Sequence, residues 1–453
     1  LVDLCSLTSL HINKISTVMC LPEGFLQQSA KLKQLKIVSC GDLVAFSNDH
    51  MGLKHLASLQ SLTVSHCPKL VALPDEEKKL PPMLEYLDVS HCHNLQKLPD
   101  ELYNLKSLRE LKVEDCPKLE FFPDKGLPSM LKRLIVQRCN SLKTLPGQTF
   151  CNNISLEHFD IGYCSSLVSF LEQGELPTTL KYIKIHYCKS LKFLPEGIMH
   201  KDMSLEYLEI DNCSSLQSFP TGQLPTTLKH LEIGDCILLQ SLPVSLLNLM
   251  YLEELGVTQC PLLEYFPAGG WRTTNLRKVR IAYCEKLKSL PDRIHNLKSL
   301  QELDISGCCS LTSLPKQGLP TKLRFLTIDD CESLNPLHEW KLHKLTFLKF
   351  FSIGGCPHLE SFPSECLLPH SITELRILQL PDLKSLSKGL QKLTSLEKLL
   401  IRGCDRLESL PEEGLPATLS SLIIRQCPLL KPRCEKGGKD WSKIAAIPDV
   451  ELT

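Results

Sequence analysis

A cysteine returns along this chain about once every 24 residues, each time closing a stretch of the form LxxLxIxxC. The markers are Cys40, Cys67, Cys92, Cys116, Cys139, Cys164, Cys188, Cys213, Cys236, Cys260, Cys284, Cys308, Cys331, Cys356, Cys404 and Cys427, while Ile15 and Leu380 hold the same place in two further units. Neighbouring markers stand 23 to 27 residues apart, which makes a tandem array of 18 units. A fixed period of this size means that each unit is one supersecondary element, stacked on its neighbours because it cannot bury its apolar face alone. The chain is therefore expected to form one elongated α/β solenoid, with function on a surface rather than in a pocket.

Within a unit the alternation is that of a strand. Leu111 and Val113 precede Cys116 and lie two residues apart, so both point to one face, with Lys112 and Glu114 on the other. The pattern recurs as Leu208-Glu209-Ile210, Leu231-Glu232-Ile233, Leu303-Asp304-Ile305 and Leu326-Thr327-Ile328, one face buried and one wet. Stacked in parallel, such strands resemble the leucine-rich-repeat horseshoe, whose consensus LxxLxLxxN/C the chain matches nearly throughout. The resemblance implies a parallel sheet on a concave face and mostly irregular or short helical segments on the convex side. Seventeen steps of about 4.8 Å would give an arc of roughly 80 Å. Each unit offers five or six Leu, Ile, Phe or Val side chains to the core, each worth roughly 1.5–3 kcal/mol when fully buried.

The segments that return from one strand to the next are of two kinds. One carries Gly-Leu-Pro or a relative, at 122–131, 171–180, 219–228, 314–323 and 410–419. Proline has no N–H and biases its predecessor to extended backbone, so these are expected to be non-helical. The other kind, at 98–108, 242–252, 290–300 and 386–396, spaces its leucines for one short helical or 3₁₀ turn. The internal duplication is thus about 48 residues long.

The cysteines invite three readings. Metal binding wants clustered ligands, and the chain has only the vicinal Cys308-Cys309 among widely spaced thiols. Disulfides between adjacent turns are geometrically conceivable but need an oxidising compartment. The favoured reading is packing: each buried thiol behaves as a small apolar group and donates a weak S–H bond to a carbonyl at the strand's end.

Charge excludes other classes. Lys+Arg and Asp+Glu both total 51, with none of the basic excess that nucleic acid or membrane surfaces require. No apolar run approaches the roughly 18 residues of a membrane span. The first residues, Leu1-Val2-Asp3, already sit inside the repeat pattern, so the chain is read as a fragment truncated at its N-terminus, 1–427 being the solenoid and 428–453 a closing segment. No phosphate-binding G-x-x-x-x-G-K-[ST], H-E-x-x-H or G-x-S-x-G occurs. His66, His91 and His186 fall on or beside the wet strand face and are expected to be solvated. The expectation is no enzyme, no metal and no cofactor in this chain.

What does not repeat is the wet face. Glu209, Asp211 and Asp235 form an acidic middle, with Tyr163 and Tyr187 beside it and Arg138 one unit before; Arg280 and Tyr283 follow further along. Towards the C-terminus, Arg376, Arg402 and Arg425 surround Leu378, Leu400 and Ile423, expected to be exposed. Tyrosine and arginine beside apolar surface are what protein-binding hot spots contain. These fourteen residues are the candidate protein-binding face.

The unit reads LxxLxIxxCxxLxxLP, as in Cys116-Pro117-Lys118-Leu119, Cys213-Ser214-Ser215-Leu216-Gln217-Ser218-Phe219-Pro220 and Cys404-Asp405-Arg406-Leu407-Glu408-Ser409-Leu410-Pro411. It resembles the C-terminal repeat domain of plant intracellular nucleotide-binding leucine-rich-repeat disease resistance proteins, of the coiled-coil class. The tail, with Trp441-Ser442-Lys443-Ile444 and Ile447-Pro448, is similar to the segment that closes them. The resemblance implies a cytoplasmic immune sensor, in the parent also nuclear or membrane-associated. It would recognise a pathogen effector or a guarded host protein and restrain the parent's own nucleotide-binding domain. ADP or ATP would then belong to the missing part of the parent. Two alternatives remain: the substrate-binding repeats of an F-box-type ubiquitin ligase adaptor, and a cell-surface receptor ectodomain. The second fits less well, with two N-glycosylation sequons, at Asn153 and Asn212.

Overall fold

The frame read from the cysteines is the frame of the fold. The computed structural model describes residues 6–22, 26, 29–46, 53, 55–74, 80–171, 175–334, 340–356, 359–363 and 367–453. Residues 1–3 and residues 172–174 of the 171–180 return segment lie outside them. The chain divides into two compact units, Leu1–His230 with Gly234–Ile237, and Leu231–Ile233 with Leu238–Thr453.

The first unit carries β1 (Ser9–Asn13), β2 (Gln34–Val38), β3 (Ser61–Ser65), β4 (Tyr86–Ser90), β5 (Glu110–Glu114), β6 (Arg133–Gln137), β7 (His158–Gly162), β8 (Tyr182–His186) and β9 (Tyr207–Asp211); the division runs through β10 (His230–Gly234). The second carries β11 (Glu254–Thr258), β12 (Lys278–Ala282), β13 (Glu302–Ser306), β14 (Phe325–Asp329), β15 (Phe350–Gly354), the two-residue β16 (Ser361–Phe362), β17 (Glu374–Leu378), the two-residue β18 (Ser385–Leu386), β19 (Lys398–Arg402), β20 (Ser421–Arg425) and β21 (Asp449–Leu452). Within each unit the long strands pair in parallel with the next turn and in matching register, as in Leu87↔Leu111↔Leu134 and Leu303↔Leu326. This is a parallel β solenoid of leucine-rich-repeat type, with one five-residue strand for each of the 18 sequence units.

The second and fourth residues of each strand point inward: Leu111, Val113, Leu303 and Ile305 are wholly buried. The cysteine two residues past each strand is buried too, and its thiol faces the carbonyl of the strand's last residue, as Cys67 Sγ to Ser65 O (3.5 Å) and Cys236 Sγ to Gly234 O (3.3 Å). Burial pushes the Cys67 thiol up to about 11 and the Cys92 thiol up to about 12, so these two stay protonated at neutral pH. The packing reading of the cysteines thus matches the geometry. Leu380 replaces the thiol and is fully buried, but Ile15 is 38% exposed. Its expected packing role is therefore incomplete, because only one neighbouring turn among the described residues lies against it.

Between strand and cysteine stands a residue that the sequence pattern left unmarked. In all 18 units it is left-handed, with φ between +47° and +67°, and only Gly307, Gly355 and Gly403 among these residues are glycine. One left-handed residue swings the chain out of extended geometry, so that its own side chain faces out and the next, the cysteine, faces in. Its N–H donates to the last strand carbonyl of the following turn, as Arg138 N to Gly162 O (2.9 Å) and Tyr187 N to Asp211 O (2.9 Å). That carbonyl also receives the thiol of its own turn, so both its lone pairs are used.

The return segments alternate as expected. Short 3₁₀ turns occupy Asp100–Asn104, Val244–Asn248, Ile294–Asn296 and Lys388–Leu390. The Gly-Leu-Pro segments stay non-helical, and there the proline carbonyl accepts from the leucine three residues on, as Leu131 N to Pro128 O (3.2 Å). At the C-terminus α1 (Lys431–Cys434) and α2 (Trp441–Ile444) lead into β21, which pairs with β20. Buried Asp440 ties the two helices to the last repeat: it takes Arg433 Nε at 2.8 Å and Lys443 Nζ at 2.7 Å, and Lys443 donates to Leu410 O.

Candidate protein-recognition face

Three outward columns cross the sheet, formed by the first, third and fifth residues of each strand, with the left-handed residue beside the fifth. In the first unit these columns stack rings. Arg138 lies over the Tyr163 ring at 4.7 Å and pairs with Glu114 at 3.1 Å. Tyr163 stacks on Tyr187 with centroids 4.5 Å apart and planes 5° from parallel. The inter-strand spacing of about 4.8 Å is close to a ring stacking distance, so aromatic residues in one column of adjacent turns stack without adjustment.

A longer stack escaped the sequence reading, which took the third and fifth strand residues and passed over the first. His158, Tyr182, Tyr207 and His230 occupy that place in four successive turns, with centroids 4.1–4.4 Å apart and planes within 9°. The signal was available as four consecutive aromatic or imidazole residues at strand starts. Tyr207 donates to Glu209, which also holds Lys184 Nζ at 3.0 Å. Burial, and then Arg133, hold His158 below its ordinary value.

Beside the rings lies the acidic middle. Asp235 accepts from Asn212 at 2.6 Å. Asp211 has neither a hydrogen bond nor an ion pair on its carboxylate among the described residues, and its pKa is raised by burial and by Asp235 and Glu209. His186 corrects an expectation: it is 8% exposed rather than solvated, and its Nε2 lies 3.1 Å from Asp160. The reason is Gly162 in the turn before. A Cβ there would come within 2.2 Å of the imidazole, so the missing side chain is the room into which His186 folds.

In the second unit Arg280 pairs with Asp304 at 3.3 Å, and Tyr283, 54% exposed, lies against the left-handed Gly307. Four turns on from Arg280, the C-terminal group comes together by register, Arg376↔Leu400↔Ile423 and Leu378↔Arg402↔Arg425. Leu378, Leu400 and Ile423 were expected to be exposed; they are half-buried, because in-register neighbours stand on both flanks of Leu400 and Ile423 and an arginine column runs beside Leu378. The arginines are exposed but engaged. Arg376 lies over Phe350 (4.9 Å) and pairs with Glu374 (2.7 Å), Arg402 donates to Gln426 (3.2 Å), and Arg425 holds Glu451 of β21 in a fork at 2.9 and 3.0 Å.

Burial moves one more carboxyl. Asp329 is pushed up to about 6, first by burial and further by Asp330 and Asp304, although Ser352 donates to it at 3.1 Å. Among the described residues no group of three or more His, Cys, Asp or Glu is placed to hold a metal ion. Nor is any helix among them long and apolar enough to cross a membrane.

The comparisons with known proteins agree with this geometry. A family model described as Leucine Rich Repeat matches residues 83–105. A leucine-rich-repeat protein of Leptospira interrogans has a similar solved structure, with a TM-score of 0.53 at 18% identity, over 99% of this chain and 96% of that one. The fold is thus that of a leucine-rich-repeat solenoid. Among the chain's relatives is At3g14460 of Arabidopsis thaliana, named provisionally as a disease resistance protein, 36% identical over 137 residues. That match takes in 30% of this chain and 10% of the Arabidopsis protein. The domain is thus related to the leucine-rich repeats of plant disease-resistance-type proteins.

Proposed function

We propose that this chain is the recognition and autoregulatory domain of a plant intracellular immune receptor of the coiled-coil nucleotide-binding class. It would bind a pathogen effector, or a host protein that an effector modifies, through the open face of its sheet. The observation that carries the reading is the similarity to the Arabidopsis disease-resistance-type protein, seated on a fold whose buried face repeats and whose open face does not. Against a glycosylated ectodomain stands Asn153: its Nδ2 donates to Pro128 O at 2.8 Å and Leu131 O at 3.1 Å, so a glycan on it would break a buried bracket.

The upstream coding sequence tests the receptor class: it should encode a phosphate-binding loop, and a continuous reading frame without one sinks that part. The recognition surface is tested in the full receptor by reversing open-face charges, Arg280→Glu and Arg402→Glu, beside Lys298→Glu on an exposed return segment as control. Partner capture should fall at least about tenfold for one or more open-face variants and stay unchanged for the control. Equal capture by all three would overturn the reading.

A further inference from the structure

On the open face a guanidinium of the chain twice lies over a ring while it pairs with a carboxylate. Arg138 lies over Tyr163 and pairs with Glu114, and Arg376 lies over Phe350 and pairs with Glu374. A third place has the ring and the acid but lacks the cation. Tyr187 is 37% exposed, stacks on Tyr163 by one face, and carries no cation on its ring among the described residues. Its N–H donates to the Asp211 carbonyl at 2.9 Å, which sets Asp211 beside it in the next turn, and Asp235 follows one turn later.

We infer that the surface from Tyr187 to Asp235 receives an arginine side chain of a protein partner, its guanidinium against the Tyr187 ring and paired with the Asp211 carboxylate. The neighbouring groups are already engaged: Lys184 pairs with Glu209, and His186 lies against Asp160. Asp211 has no hydrogen-bonding or ion-pair partner of its own among the described residues, and burial, then Asp235 and Glu209, raise its pKa against the opposing pull of His186 and Lys184. An incoming cation removes the repulsion; a phosphate backbone would increase it, which excludes nucleic acid as the occupant. Arginine is favoured over lysine because its planar, weakly hydrated head stacks on a ring while its edge forks to a carboxylate. Both filled places on this face use arginine.

The inference rests on the open face being the recognition surface, and it adds the chemistry of the group recognised. Its test is saturation-transfer NMR on the 453-residue chain with N-acetyl-arginine amide as probe and N-acetyl-citrulline amide as its uncharged counterpart. Saturation should reach the arginine side chain and not citrulline. It should fall about threefold or more in Asp211→Asn and in Tyr187→Leu, and stay unchanged in Lys298→Glu. No transfer to the arginine probe, equal transfer to citrulline, or unchanged transfer in both variants with native circular dichroism would overturn it. Should Tyr187→Leu fail to fold, the near-isosteric Asp211→Asn decides alone. If the probe fails while Arg280→Glu or Arg402→Glu still weakens partner capture, this inference falls and the open-face reading stands.

Discussion

Two columns run side by side through this protein, one residue apart in sequence, and they obey opposite rules. The cysteine column varies little and lies buried, from Cys40 to Cys427. The left-handed column just before it holds lysine, serine, histidine, aspartate, arginine, tyrosine, asparagine, glutamine and glycine, yet keeps φ near +55°. In the first column the side chain is constrained and in the second the backbone is. The second column is therefore where side-chain identity is free to change without disturbing the core, and Arg138, Tyr163, Tyr187, Asp235 and Tyr283 all stand in it. A residue other than glycine at such an angle costs roughly 1 kcal/mol or more. The hydrogen bond from its N–H to the next turn offsets that cost.

The comparison can be broken most severely on the buried side. Leu303→Asp places an unpaired charge where exposure is 0% and should cost about 4 kcal/mol or more. Thiol alkylation mapped by mass spectrometry reads the result. The native chain should label at exposed Cys151 and slowly at the half-buried Cys20 and Cys309, whereas the variant should also label at Cys284, Cys308 and Cys331. Silent ladder thiols in the variant would show that the core tolerates the charge.

A smaller effect is expected where a half-buried carboxyl adjoins the left-handed column. Asp329 titrates near 6 in the fold and near 4 unfolded, so the native state binds the tighter proton. Its burial cost is absent at low pH and grows as pH rises through that window, so stability should decline from about pH 4 to about pH 6 and stay lower above. Asp329→Asn should flatten the decline and add about 1–2 kcal/mol at pH 7, read from denaturant midpoints at several pH values. An unaltered pH profile would show that this carboxyl ionises freely in the fold.

The smallest test addresses the strained column itself. Gln259 is exposed, has φ +52° and makes no side-chain hydrogen bond among the described residues. Gln259→Gly should stabilise by about 0.5–1 kcal/mol, the relief of strain exceeding the extra freedom glycine has when unfolded. Destabilisation would mean that the angle carries no strain.

Period and alternation made the fold legible because both are local: a leucine two residues from another needs no distant partner to declare its face. Strand registers, the two kinds of return segment and the inward thiols followed from them. The candidate face was legible as a set of outward residues but not as an arrangement. Tyr163 meets Arg138 and Tyr187 because units of 24–25 residues bring them to adjacent turns, and their rings stack because the turn spacing suits rings. His186 sinks because of an absent side chain 24 residues earlier, at Gly162. Leu400 is half-covered because Arg376 and Ile423 flank it in register. These are properties of pairs across turns, and a single turn does not disclose them.

The N–H of each left-handed residue is satisfied one turn ahead and never one behind, from Lys14 through Asn212 in the first unit and from Gln259 through Gln426 in the second. The last of these donors, Gln426, ends on the carbonyl of Thr453, the final residue of the tail. Wiring that runs in a single direction has a consequence for descent by duplication. A copied turn inserted within a unit takes over one such donor from its predecessor and offers one to its successor, so the same wiring continues on either side of it. The open face can therefore be lengthened or shortened by whole turns without redesign of what lies beneath.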